Sequence, residues 1–155
     1  REDKGYTYGV RTAFDLRRGV GPFVLQTSVG TDVTVPAIRE ALNEIREIAS
    51  TRPATGDELS LGFATVSKGY PRGFETATQV ARSVAQLALH GLPDSYFEDF
   101  IPRLSQVTSD DVSRVAARYL DLEKMTTLVV GDLDKIAAAL PELGLGAHQV
   151  LTPEI

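Results

Sequence analysis

An α+β fold, with a mainly antiparallel sheet and helices packed on one face, is predicted by three features of the sequence. Two period-two runs near the start are joined by a short glycine-containing loop. A long middle section carries apolar residues at steps of three and four between helix-capping signals. A β-branched run, MTTLVV, comes late. Strands followed by helices and one returning strand is the order of segregated layers rather than of alternating βα units.

The elements follow in turn. Over 6–15, Tyr6, Tyr8, Val10, Thr12 and Phe14 alternate with Thr7, Gly9, Arg11 and Ala13, which is the period of a half-buried strand and puts Tyr6 and Tyr8 on one face. LRRGVG turns the chain. PFVLQTSV opens a second strand at Pro22, where a missing N–H costs least, and completes an antiparallel hairpin. From 34 to 51, Ile38, Ala41, Leu42, Ile45, Ile48 and Ala49 form the apolar stripe of an amphipathic helix that Arg52 and Pro53 end. Thr55 and Glu58 have capping-box spacing and start a helix that fades near Gly69. A longer helix runs over 74–90, with Val80, Val84, Leu87 and Ala88 on one side and Gly91 and Pro93 beyond its end. After the aromatic segment DSYFEDFI, Thr108 caps a helix that offers Val112, Val115, Ala116, Tyr119 and Leu120 to a core. MTTLVV then reads as a strand, followed by a short helix near 136–140 and a tail.

These elements make a single, partial domain over 1–155: a helix end and hairpin over 1–30, a helical layer over 31–120, and a last strand, short helix and tail over 124–155. Three strands are a thin sheet for so many helices. Either more strands precede Arg1 or another chain supplies them. The absence of an initiating Met, together with the abrupt start, suggests a fragment or a processed product.

Composition narrows the classes of function. With 155 residues, 43% of them hydrophobic, the chain is long enough to bury a core. A net charge of −5 disfavours nucleic acid and anionic membranes, and Arg17 with Arg18 is too small a basic patch to reverse that. No apolar run reaches spanning length, so no membrane insertion is expected. Without cysteine there is neither a disulfide nor a thiolate metal site.

Little chemistry is visible in the chain by itself. His90 at a helix end and His148 in the tail lie far apart, and no HxxEH or HExxH places two histidines and a carboxylate at zinc spacing. No nucleophile elbow, P-loop or dinucleotide fingerprint occurs. Asp110 and Asp111 diverge as helix neighbours and serve better as first-turn charges than as an acid/base pair. The exception is the opening REDKGYTYGV. Read blandly it is a charged last helical turn, Gly5 in a left-handed cap and then a strand, and spacing alone favours that reading. The same reading brings Arg1 and Tyr8 to one corner, where a guanidinium and a phenol can clamp a peptide.

REDKGYTYGV has an Arg followed seven residues on by a Tyr, with Gly5 between them. In this it resembles the motif in the C-terminal, non-zinc domain of the insulinase, pitrilysin and mitochondrial-processing-peptidase family of inverted zincins. The likeness continues through PFVLQTSVG, AIREALNEIREI, TGDELSLGFATVSKGY, the stretch from FETATQV to ARYL, and MTTLVVGD, in that order. The resemblance implies two homologous α+β domains around a chamber, one of which binds zinc through HxxEH and a further Glu. There the metal activates water and the motif's Glu acts as base. It implies that this chain closes the chamber and binds peptide substrate, with no cofactor of its own and zinc in a homologous partner domain or subunit. Tyr8 would assist catalysis by holding the polarised carbonyl oxygen, Arg1 would position substrate, and Tyr6 would pack on the face it shares with Tyr8. The family's earlier strands and helix are absent before Arg1, as is the zinc motif. Relatives occur in the bacterial cytoplasm and outside it. Two other functions compete: a non-catalytic structural or presequence-binding subunit of a processing complex, since such relatives keep the fold, and a stand-alone α+β binding module.

Overall fold

The computed structural model describes residues 4–152, so Arg1 lies outside the described residues. Strands β1 (Thr7–Phe14) and β2 (Phe23–Val29) pair antiparallel as a hairpin. The loop between them is closed by the Asp15 N–H donating to the Pro22 carbonyl at 3.0 Å and by an Arg17–Asp15 ion pair. Gly21 is required there, because a Cβ would overlap the Asp15 carbonyl oxygen.

A 3-10 turn at Thr31–Val33 leads into α1 (Thr34–Ile48), with Pro36 in the first turn, where its missing N–H costs nothing. Helix α2 (Gly56–Gly69) begins on the expected capping box, the Thr55 hydroxyl accepting from the Glu58 N–H at 3.2 Å while the Glu58 carboxylate accepts from the Thr55 N–H at 2.8 Å. Helix α3 (Ala77–His90) starts three residues later than the periodicity suggests. Its N-terminus is set by a second capping box, Thr76 with Gln79, and Phe74 falls in the preceding 3-10 turn Tyr70–Phe74. It stops at Gly91, whose φ of 62° is the left-handed cap expected after His90. The aromatic segment is itself a helix, α4 (Tyr96–Leu104), and it continues through Pro102. Helix α5 (Ser109–Tyr119) is capped by Thr108 with Asp111, and α6 is one turn, Leu133–Ile136.

The helices lie on one side of the hairpin. Along β2, Phe23, Leu25, Thr27 and Val29 are half-buried toward them, while Val24, Gln26 and Ser28 face out. Among the described residues only Thr34, Val35, Ile45, Ala116 and Ile136 are buried, and they mark a small core centred on α1 with α5 and α6 beside it. A second cluster ties the helical layer together: Tyr70 stacks on Phe100 at 4.7 Å, Phe74 meets Phe97 edge-on at 5.1 Å, and the Tyr70 hydroxyl donates to the Phe97 carbonyl at 3.0 Å. Burial there pushes the Tyr70 phenol up, with a lesser push from Tyr96.

Two expectations need correction. Tyr119 is not a core residue: it is more than half exposed, with the Arg118 guanidinium 5.2 Å from its ring. The run MTTLVV is not a strand either. Met125 has extended angles, φ −91° and ψ 144°, yet no described strand lies beside the run, and a strand exists only through pairing. Among the described residues, the segment from 124 onward therefore contributes a short helix and a tail but no strand to the sheet.

Candidate functional site

The hairpin carries one irregularity, and it falls on the residue the sequence singles out. Thr7 pairs with Val29 and Val10 with Thr27, so Tyr8 and Gly9 together oppose Ser28 alone. That is a β-bulge, with one extra residue in β1. Side-chain hydroxyls fasten it. The Thr7 hydroxyl lies 2.8 Å from the Ser28 carbonyl, 2.8 Å from the Thr27 hydroxyl and 3.0 Å from the Gly9 carbonyl, and it accepts from the Gly9 N–H at 3.1 Å. The Thr27 hydroxyl donates to the Gly9 carbonyl at 3.0 Å. Each hydroxyl has one proton to give, so these contacts share donors rather than add.

Thr7 stands opposite Val29 and Val10 opposite Thr27, so the bulge puts Thr7 on the face of Val10 and Thr12 and leaves Tyr8 on the other. Tyr6 is half-buried and lines the space between hairpin and helices, as do Val10 and Thr12. Tyr8 does not line that space. It is 96% exposed, and its phenol has no hydrogen-bond partner among the described residues. The expectation that Tyr6 packs on a face shared with Tyr8 is thus corrected: Tyr6, just ahead of β1, lines the space, whereas Tyr8 does not. Gly9 inside a strand pattern is the available signal for a bulge, and Thr7 and Thr27, which fasten it, carry no such signal in the sequence.

Between the hairpin and α1 lies an apolar cavity of about 1290 Å³, bounded by Phe23, Leu25 and Val29 above and by Ala41, Ile45 and Ile48 below. Its rim is charged. Lys4 bridges to Glu40 at 3.3 Å, and Arg52 reaches Glu44, Glu47 at 3.2 Å and Glu58 at 3.9 Å. A neighbouring hollow of about 600 Å³ shares Ile48, Val107, Val112 and Leu120 with it, so the two form one trough.

No three His, Cys, Asp or Glu side chains converge among the described residues. His90 sits at the end of α3 with Nε2 3.0 Å from the Gln86 amide oxygen, and Asp111 is engaged by Thr108 and Arg114. These residues do not fit a zinc ion. What the geometry provides is an exposed phenol on a hydroxyl-fastened bulge, on a hairpin that also borders an apolar trough with a charged rim.

The fold is therefore an α+β domain with a bulged hairpin and no metal-binding group among its described residues. No protein-family model matches the sequence, and no curated protein matches it. Among solved structures it is similar to a protein from Pseudomonas fluorescens whose crystal structure is that of a peptidase M16 inactive domain, with a TM-score of 0.70 and 21% identity. The match covers 78% of this chain and 28% of that one, so at this identity the two share a fold over well under half of the longer protein.

Proposed function

We propose that this chain is a zinc-free part of an M16-type peptidase, closing a substrate chamber and binding peptide while zinc is held by another domain or subunit. One observation carries the reading: Tyr8 sits on a hydroxyl-fastened bulge, 96% exposed and with no partner for its phenol among the described residues. A β-bulge re-aims the side chain it carries, and bulges are over-represented beside functional sites. The resemblance of the opening residues and the shared fold support the family.

In this role the Tyr8 hydroxyl donates to a substrate carbonyl oxygen as that oxygen gains negative charge. An unpartnered phenol is free to do so without first breaking an internal bond. Arg1, at the family's spacing from Tyr8, supplies a guanidinium to the peptide backbone. The test is Tyr8→Phe in the assembled protein, with peptide hydrolysis and zinc content measured together. A drop in kcat of about 10²-fold with zinc unchanged is expected from loss of one oxyanion donor. An unaltered rate would remove Tyr8 from the mechanism.

A second reading is favoured by the lack of any cluster of metal ligands among the described residues and by the similar structure's being an inactive domain: a structural or presequence-binding subunit. Metal analysis of the native assembly separates the two. An assembly without stoichiometric zinc leaves only scaffolding or peptide capture.

A further inference from the structure

We infer that Arg11 selects peptides that carry a carboxylate side chain close to the bond Tyr8 addresses. The inference rests on the reading of Tyr8 as a peptide contact and names the substrate class of that same face. The register defines the face. Val10 and Thr12 line the trough, so Arg11, one residue out of step with both, lies on the opposite side of β1, where the bulge also leaves Tyr8. Arg11 stands directly across from Gln26, and Tyr8 with Gly9 across from Ser28. Gln26 and Ser28 are exposed and likewise do not line the trough. Two residues of β2 therefore separate the two positions, about 7 Å along the strand. An extended peptide repeats a side-chain direction at that same spacing, so one peptide can offer a carbonyl oxygen to Tyr8 and a side chain to Arg11.

Charge fixes the kind of side chain. The ion pairs around the hairpin are Lys4 with Glu40 and Arg17 with Asp15, and the exposed Arg11 guanidinium has no carboxylate partner among the described residues. An acidic residue directly across the strands would have stabilised the hairpin. Gln26 stands there instead, adding amide donors without neutralising the charge. Over 5–30 three arginines stand against the single carboxylate of Asp15, in a chain whose net charge is −5. The hairpin is thus positive where the rest of the chain is negative, and its charge complements an acidic ligand. A guanidinium fork matches the two oxygens of a carboxylate, which makes Asp or Glu the favoured side chain over a neutral one.

The test uses the assembled protein and a synthetic pool of peptides, acetylated and amidated so that their termini carry no charge, with cut bonds located by mass spectrometry. Asp and Glu should be enriched at one position beside the cut bonds, and in Arg11→Glu they should give way there to Lys and Arg. That inversion does not follow from a merely structural role of Arg11. For one cleaved peptide with Glu at that position, kcat/KM should exceed that of its Gln analogue about tenfold, as for one hydrogen bond to a charged group. Arg11→Gln should bring the ratio near one. An acid preference that survives Arg11→Gln, or its absence from the wild type although peptides are cut, overturns the inference and leaves the proposed function standing. A preference seen only with peptides whose C-terminus is left as a free carboxylate also overturns it, by making the peptide terminus the ligand. If nothing is cut, the peptidase role fails, and retention of the same pool on the immobilised assembly decides the inference. Acidic peptides should then be held by the wild type and released by Arg11→Gln, whereas equal retention by both, or none, overturns it.

Discussion

A single hydroxyl decides where Tyr8 points. Thr7 is the residue that both accepts from Gly9 and reaches across to Ser28 and Thr27, so it holds the extra residue of β1 in place. Thr7→Val keeps the β-branched shape and removes those contacts. We expect a stability loss of about 1 kcal/mol in denaturant titration, typical of a net hydrogen bond in a solvated setting. If the bulge aims the phenol, the same variant lowers kcat in the assembled protein while Tyr8→Phe adds little to it, because both then remove one contact. Additive losses would show that Thr7 acts only on stability. At this scale the family resemblance is what singles out Arg1 and Tyr8, since spacing alone favours a plain helix end, and Gly9 is the local sign of a bulge. The direction of Tyr8 follows only from the register across to β2. Arg1 lies outside the described residues.

Elements were legible where their ends are written in side chains. Thr55 with Glu58 and Thr108 with Asp111 fixed two helix starts in advance, and Gly91 fixed a helix end. Thr76 with Gln79 carries the same signature and was passed over for the stronger apolar periodicity around it. Thr76→Ala should cost about 1 kcal/mol. Gly91→Ala should cost about as much, purely from backbone strain, since a Cβ at Gly91 meets nothing within 4 Å. Helix α5 adds a pH dependence. The Arg114 guanidinium, and then the Thr108 hydroxyl and N–H, hold the Asp111 carboxyl down to about 2 from its ordinary 3.8. The folded state therefore takes up this proton less readily than the unfolded state. Its contribution is full above pH 3.8 and is lost as pH falls through about 2. The melting-temperature difference between the wild type and Asp111→Asn should shrink toward zero over that window, and a constant gap would contradict the cap as its source. The late strand was misread for the opposite reason. Helix caps are local, whereas the residues of MTTLVV become a strand only when another backbone lies alongside.

Cooperativity of the whole molecule follows from how little it buries. An unfolded chain of this mass exposes about 24,000 Å², so folding to 12303 Å² removes about seven-tenths of the area that a compact chain of equal length would. Heat-capacity change and denaturant slope both scale with that area. For 155 residues the ordinary heat-capacity change is about 2 kcal/mol/K, and the isolated chain should show about 1.4 kcal/mol/K, with a urea slope reduced in the same proportion. Two weakly joined cores deepen the effect. The cluster at Tyr70 and Phe100 and the one at Val35 and Ile45 share few contacts with the hairpin, which stands off across the 1290 Å³ cavity. Near-ultraviolet circular dichroism, which follows the tyrosines, and far-ultraviolet circular dichroism, which follows the helices, should therefore give non-coincident transitions in the isolated chain. Coincident transitions with a full-sized heat-capacity change in the isolated chain would mean that it packs far more tightly than its exposed surface implies.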